Sequence, residues 1–328
     1  MTDIHKVAKE AGVSVATVSR VLNESPSVSD KTRTKVKSVI EQLNYEPNML
    51  GRNLRSSRSR QILVLSPTTV SPFYSNIISG IENAAIQQDY NMLLCTTKST
   101  YRLESTYFEM VKKKLVDGAV VIDPSSELYE YVTANPKYPV VVCGEFAGTD
   151  QVPCVSIDNE TASYKAVKHL ISLGHTKIAM LSSNIHTAGF RQKGFLRALR
   201  ENGITVNEQW LLSADLGFES GQYKMRELLT MDDRPTAVFA VSDTIAIAAL
   251  KAIKDFGLRS PQDIAVIGFD NIEFSAMTNP ALTTISQPMH EMGVFAAKML
   301  LKKIQQPEYT VKNMILNHEL IIRESTMV

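Results

Sequence analysis

Between Ser14 and Arg20 the chain reads SVATVSR, a run that can place small apolar groups, hydroxyls and one guanidinium on a single protruding surface. Ser14 can cap a helix over about residues 15–22, because its hydroxyl can accept from an otherwise orphan backbone N–H one turn along. Val15, Ala16, Thr17, Ser19 and Arg20 then lie on the leading and outer surfaces of that helix. A B-form major groove accepts one α-helix, whose first turn reaches base edges, so the chemistry on offer is recognition of duplex DNA. A small helical bundle with a solvated basic face would carry the same pattern.

Other chemistry finds little support. No two of the fifteen glycines stand two residues apart, so a GxGxxG phosphate cradle is missing, as are a GxxxxGK[ST] loop and a GxSxG elbow. The six histidines never fall at HxxxH spacing, and no zinc site or other metal is expected. His175, after Gly174, reads as a turn or packing residue. Asp232 and Asp233, before Arg234 and Pro235, read as a solvated loop. Cys95, Cys143 and Cys154 form no CxxC pair and leave an odd thiol, which suits buried thiols in a reducing cytosol. No enzyme activity and no cofactor are expected.

The elements that must carry the first constellation are short helices. From Ile4 to Leu22 apolar residues recur at helical spacing, and Gly12 breaks the run into two helices joined by a turn. A third helix is expected after Ser29 and Asp30, burying Val36, Val39, Ile40 and Leu43 and leaving Lys31, Arg33, Lys35 and Lys37 outside. Residues 1–60 hold five Lys and six Arg against six acids, a balance of +5, whereas the remainder balances at −4. That asymmetry suits an N-terminal segment that meets a polyanion. The polar start of the chain has no apolar secretion core, and no apolar run approaches the roughly 18 residues a membrane span needs. No membrane association is expected, and the protein is expected in the cytoplasm.

After a solvated linker ending in RSSRSR, apolar runs alternate with helical patterns: ILVLS, NMLLC, GAVVI, VVVC and CVSI, then KIAML, WLLSA, AVFAV, IAVIGF and LTTIS. Such alternation means right-handed βαβ units, here forming two doubly wound parallel-sheet lobes. Ligands of open parallel sheets bind beyond the carboxyl ends of the strands. The cleft should therefore be lined by residues 66–74, 123–125, 182–191, 214–218, 242–243 and 269–271.

The stretch IHKVAKEAGVSVATVSRVLNESPSVSDKTRTKVKSVIEQLNYEPN resembles the DNA-binding headpiece of the LacI family at nearly every position. The resemblance makes Val15, Ala16 and Arg20 the readers of base edges, with the guanidinium suited to guanine. It makes Thr17, Ser19, Asn23, Ser29, Thr32 and Tyr45 phosphate contacts, which position without specifying. In the family, the segment after Pro47 folds as a hinge helix over the minor groove when two subunits meet. Asn48 belongs to that DNA-contacting segment, and Leu54 takes the place of an intercalating leucine. Gly51 stands where most members have alanine, which weakens a helix by roughly 1 kcal/mol. A marginal hinge would enforce half-site spacing loosely and favour a second DNA-bound regulator as partner.

The rest of the chain resembles the family's effector domain, itself similar to periplasmic sugar-binding proteins. By that resemblance Arg191 in FRQKGF and Asp270 in IGFDN are ligand-binding, with Ser242 as a polar contact. Phe73, with Tyr74 beside it, would stack on a flat face, and Leu216 joins the lining. PFYSNIISGIE, GEFA, SIDN, IGFDNIE, LTTISQP and ELIIREST are most similar to the family's cytidine-responsive branch, so a nucleoside is expected, with a sugar as the alternative. The implied fold is an all-α helix-turn-helix headpiece over 1–46, a hinge and linker over 47–60, and an α/β effector domain of two lobes over 61–328. The implied partners are a pseudo-palindromic double-stranded DNA operator, a small polyhydroxylated effector and a second copy of the chain. Without leucine heptads after ELIIREST, no tail-mediated tetramer is expected.

Overall fold

The computed structural model describes residues 3–45, 58–144, 152–183, 186–215, 217–308 and 312–327. Asn48, Gly51, Leu54 and Leu216 lie outside the described residues, and so does most of the expected hinge. The chain divides into two compact units, Met1–Arg58 and Ser59–Val328.

The first unit contains α1 (Ile4–Ala11), α2 (Val15–Leu22) and α3 (Asp30–Gln42). Each begins on a side-chain cap. Asp3 accepts from the Lys6 N–H at 2.9 Å, Ser14 from Thr17 at 3.1 Å and Ser29 from Thr32 at 3.4 Å. A cap of this kind stabilises a helix by about 1 kcal/mol. Gly12 ends α1 at φ 62°, ψ 38°, and its N–H donates back to the carbonyls of Ala8 and Lys9. That left-handed turn favours glycine and lets α2 leave at once in a new direction. Val7, Ala8, Ala11, Val18, Val21, Val28 and Val36 form the core.

One expectation for this unit needs correction. Arg33 is half-buried rather than outside: its guanidinium donates to the carbonyl of Ser25 at 2.8 Å and to that of Val28 at 3.4 Å, tying down the loop between α2 and α3. Tyr45 is buried at 9 % exposure within the core, so its ring is also a packing element.

The second unit begins where Asp117 captures the incoming backbone. Its carboxylate accepts from the N–H of Ser59 at 2.7 Å and of Arg60 at 3.1 Å. Then follow β1 (Gln61–Ser66), α4 (Pro72–Ile86), β2 (Asn91–Thr96), α5 (Tyr101–Lys112), β3 (Gly118–Ile122), α6 (Ser126–Ala134), β4 (Val140–Cys143) and β5 (Cys154–Ile157). The second series is α7 (Asn159–Ser172), β6 (Ile178–Ser183), α8 (His186–Glu201), β7 (Leu211–Ala214), α9 (Phe218–Leu229), β8 (Ala237–Ala240), α10 (Asp243–Asp255), β9 (Ala265–Asp270) and β10 (Thr283–Ser286). The chain closes with α11 (Met289–Gln305), β11 (Met314–Leu316) and β12 (Glu319–Ile321). Helix α6 and the last two strands are not among the expected elements; α6 is only nine residues long, buries Leu128 and Val132 one turn apart behind a Ser125 cap, and three-residue strands carry no period.

Lobe 1 has the strand order β11-β5-β4-β3-β1-β2, all parallel, and lobe 2 the order β12-β10-β9-β8-β6-β7, parallel except for β12. The two orders are the same pattern repeated. Central strands such as β3, β4, β8 and β9 are buried along their whole length, as sheets covered on both faces require. The chain passes between lobes three times: after β5, after β10 and between β11 and β12. No helix among the described residues is long and apolar enough to cross a membrane.

Candidate functional site

In the first unit, α2 turns Val18 and Val21 into the core and leaves Ala16 and Arg20 exposed. Val15, Thr17 and Ser19 are half-buried, and Val15 packs against the core. Hydroxyls crowd the starts of α2 and α3: Ser14 and Thr17 lie 2.9 Å apart, and Ser29 and Thr32 lie 3.0 Å apart. Hydroxyls beside the partly positive starts of two helices suit phosphate oxygens. Asn23 is partly committed, since its side-chain amide donates to the Ser19 carbonyl at 2.9 Å and closes the end of α2.

In the second unit, Phe73, Tyr74, Asp123, Arg191, Ser242 and Asp270 meet around a cleft holding about 400 Å³ of atom-free space. Phe73 and Tyr74 sit in the first turn of α4, ring edge to ring face at 5.1 Å. Ser242 caps α10, accepting from the Ile245 N–H at 3.3 Å. Arg191, on α8, is 3 % exposed and held on several sides. Its Nε donates to Asn159 at 2.9 Å, one terminal nitrogen donates to the Val241 carbonyl, and its plane lies 3.7 Å from the Phe269 ring centroid. The same terminal nitrogen stands 3.8 Å from the carboxylate of Asp270.

Asp270 ends β9 with φ 120°, a conformation that L-residues rarely adopt. Strain of this kind gathers at functional sites when the surroundings enforce it. Here they do. Gln287 donates to the Asp270 carboxylate at 2.8 Å, the buried Asp243 accepts from the Ile272 N–H at 2.9 Å, and Arg323 donates to Asn271 at 2.8 Å. Burial raises the Asp270 pKa against the pull of Arg191, and it raises that of Asp243 too, with the Asp270 charge adding to the effect. In lobe 1 burial pushes the Asp123 carboxyl up to about 6, although Arg191 and the Tyr74 hydroxyl favour its ionised form. Tyr74 donates to Asp123 at 3.0 Å, and burial with that neighbouring carboxylate holds its phenol well above the ordinary value.

The structure thus brings Phe73, Tyr74, Arg191, Ser242 and Asp270 together. Asp123 fell inside an expected cleft segment without being singled out. Asn159 was missed: at the start of a helix after SID it reads as a cap, and only the fold shows that it orients Arg191. No cluster of metal-ligating side chains occurs among the described residues.

A capped three-helix unit with an exposed guanidinium, in one chain with a two-lobed unit whose strand ends enclose an ionic cleft, defines the class of ligand-controlled DNA-binding regulators. Residues 3–48 match the family described as bacterial regulatory proteins, lacI family. Residues 59–324 match the periplasmic binding proteins and sugar binding domain of LacI family. The chain belongs to the LacI family: it is a DNA-binding, effector-regulated transcriptional repressor and not an enzyme.

It is 35% identical over 329 residues to the HTH-type transcriptional repressor PurR of Vibrio vulnificus (strain CMCP6), covering 99% of this chain and 98% of that protein. To the HTH-type transcriptional repressor CytR of Escherichia coli (strain K12) it is 37% identical over 323 residues, covering 98% and 95%. The lac repressor dimer bound to operator and the anti-inducer ONPF superposes with a TM-score of 0.88 at 29% identity, covering 100% of this chain and 99% of that one.

Proposed function

We propose that this repressor acts in the cytoplasm as a homodimer on a pseudo-palindromic operator, and that a nucleoside in the cleft controls its hold on DNA. The observation that carries the effector assignment is the pairing of an aromatic wall, Phe73 and Tyr74, with the Arg191–Asp270 pair on the other lobe. Aromatic faces suit a flat base, while a carboxylate beside a guanidinium suits a ribose diol. The similarity to CytR and PurR supports the same choice. A sugar is the second reading, favoured by the family description of residues 59–324, and it would use the same ionic pair.

In this proposal residues 1–46 read DNA, 47–60 form the hinge and linker, and 61–328 bind effector and partner subunit. Arg20, Ala16 and Val15 meet base edges; Thr17, Ser19, Asn23, Ser29, Thr32 and the Tyr45 hydroxyl meet phosphates; Asn48 and Leu54 act in the minor groove. Phe73, Tyr74, Leu216, Ser242, Arg191 and Asp270 hold the effector. A ligand with unequal affinity for two states must shift the lobes between them; here it favours the state that releases the operator, with corepression, in which it favours the bound state, as the alternative reading. With Gly51 in the hinge, a second DNA-bound regulator completes tight binding.

Selection from random duplexes should yield a two-fold symmetric site. Arg20→Ala should then relax base choice at one position per half-site, by about 1 to 3 kcal/mol; equal weakening on every sequence would make Arg20 a phosphate contact. A thermal-shift screen of nucleosides, purines and common sugars tests the effector, because a ligand that binds only the native state raises its stability.

A further inference from the structure

The two lobes repeat one strand order, so their strand ends can be compared position by position. Strands β1 and β6 align at Ile62 and Ile178, each running on to a Leu-Ser pair, and these residues pair with Gly118 and Ala237. The register then runs through Val120 to Val141 in lobe 1 and through Phe239 to Ile267 in lobe 2. Three residues further on stand Gly144 and Asp270. Their φ angles, 108° and 120°, are the same unusual conformation.

Lobe 2 thus places a carboxylate where lobe 1 has no side chain. The vacated room is not empty. A Cβ built on Gly144 would fall 2.3 Å from Oδ1 of Asp123, so a carboxylate oxygen from the neighbouring strand end stands where that side chain would begin. Asp123 is 7 % exposed; Oδ2 accepts from Tyr74, and Oδ1 has no hydrogen-bond partner among the described residues. A buried polar oxygen left without a donor is costly, and more so when ionised. The carboxyl groups of Asp270, Asp123 and Asp243 all act on the guanidinium of Arg191.

We propose that Asp123, which by register stands opposite Ser242, supplies from the neighbouring strand end the carboxyl that lobe 1 lacks at Gly144, as a specificity-determining residue whose unbonded oxygen accepts an N–H from an uncharged, amino-bearing nucleoside base. The proposal rests on the nucleoside reading above. An amino nitrogen on a conjugated ring donates and does not accept, so it satisfies Oδ1. A keto oxygen at the same ring position would meet the carboxylate as acceptor against acceptor, and a phosphorylated effector would bring its charge among three buried carboxyl groups.

Calorimetric titration of the full-length protein with matched pairs, cytidine against uridine and adenosine against inosine, tests this, with cytidine monophosphate and free ribose as further probes. The amino member of at least one pair should bind tighter by roughly tenfold or more, the range of a hydrogen bond to a charged group. Asp123→Asn keeps an acceptor for Tyr74 and tolerates the backbone φ of 44°, and it should cut that ratio to about threefold or less. Asp123→Gly, which removes both oxygens at a φ of 44° that glycine adopts freely, should reduce the same ratio and serves if the first variant does not fold. Equal affinity within both pairs, or an unchanged ratio in a folded variant, overturns the role of Asp123 while leaving the nucleoside reading intact. Binding of ribose or another sugar with no response to any nucleoside overturns both.

Discussion

The two walls of the cleft are built on one topology but finished differently. On lobe 2, Arg191 is already bonded to Asn159 and Val241 and lies over Phe269, while Asp270 is bonded to Gln287 and its turn is tied by Asp243 and Arg323. On lobe 1, two aromatic rings stand beside Asp123, which has one bonded oxygen and one buried oxygen without a hydrogen-bond partner among the described residues. A group already fixed by its own neighbours loses little freedom when a ligand arrives, so lobe 2 is suited to anchor. A wall with an unsatisfied acceptor discriminates, because a ligand without a donor leaves that acceptor unpaired. One fold, used twice, has separated holding from choosing.

The sharpest way to break this contrast is at the anchor. Arg191→Met should leave buried carboxylates without their counter-charge and destabilise the second unit by about 3 to 5 kcal/mol, abolishing the effector response as well. Denaturant unfolding measures the first effect and ligand titration the second. A loss below about 1 kcal/mol would mean that lobe 2 is no more committed than lobe 1.

The next test separates charge from backbone at Asp270. Both Asp270→Ala and Asp270→Gly should lose effector binding, yet at φ 120° the glycine variant should be the more stable of the two by about 1 kcal/mol. Equal thermal midpoints would show that the strain at this strand end is relieved elsewhere. A third test concerns pH. The Asp123 carboxyl titrates near 6 in the folded chain and near its ordinary 3.8 when unfolded, so folding holds its proton more tightly. Its contribution to stability is complete below about pH 4 and fades as pH rises through about 6. The slope of unfolding free energy over that interval should flatten in Asp123→Asn. Because ionised Asp123 is the better acceptor, an amino-bearing effector should also bind tighter at pH 7.5 than at pH 5.5.

The headpiece was legible because its signals are local: Ser14, Gly12 and Ser29 mark caps and turns within a few residues of the groups they serve. Arg33 misled because its partners, two loop carbonyls, leave no trace in the pattern of charges. The alternation of strands and helices gave both lobes, and the strand-end rule reached cleft residues in 66–74, 123–125, 182–191, 242–243 and 269–271, Asp123 among them, whereas no described residue of 214–218 lines the cleft. The choice of Arg191 and Asp270 within those segments came from resemblance rather than periodicity. What could not be read was the use of Asp123, since it depends on the missing side chain of Gly144 at the end of the adjacent strand, and register across a sheet is not written in either strand alone. The networks of Asn159, Gln287 and Arg323 stayed hidden for the same reason.

The last strands have a consequence for the order in which the molecule is made. Strand β11 borders one sheet and β12 the other, and the residues after them reach back to the effector turn: Arg323 to Asn271, Ser325 to the Val266 carbonyl. During synthesis the three helices at the front can assemble while most of the polypeptide is still being added, since their contacts are local. Each sheet gains one of its two edge strands only when residues 314–321 have been added. The growing chain can therefore hold a finished DNA reader long before it holds anything able to sense.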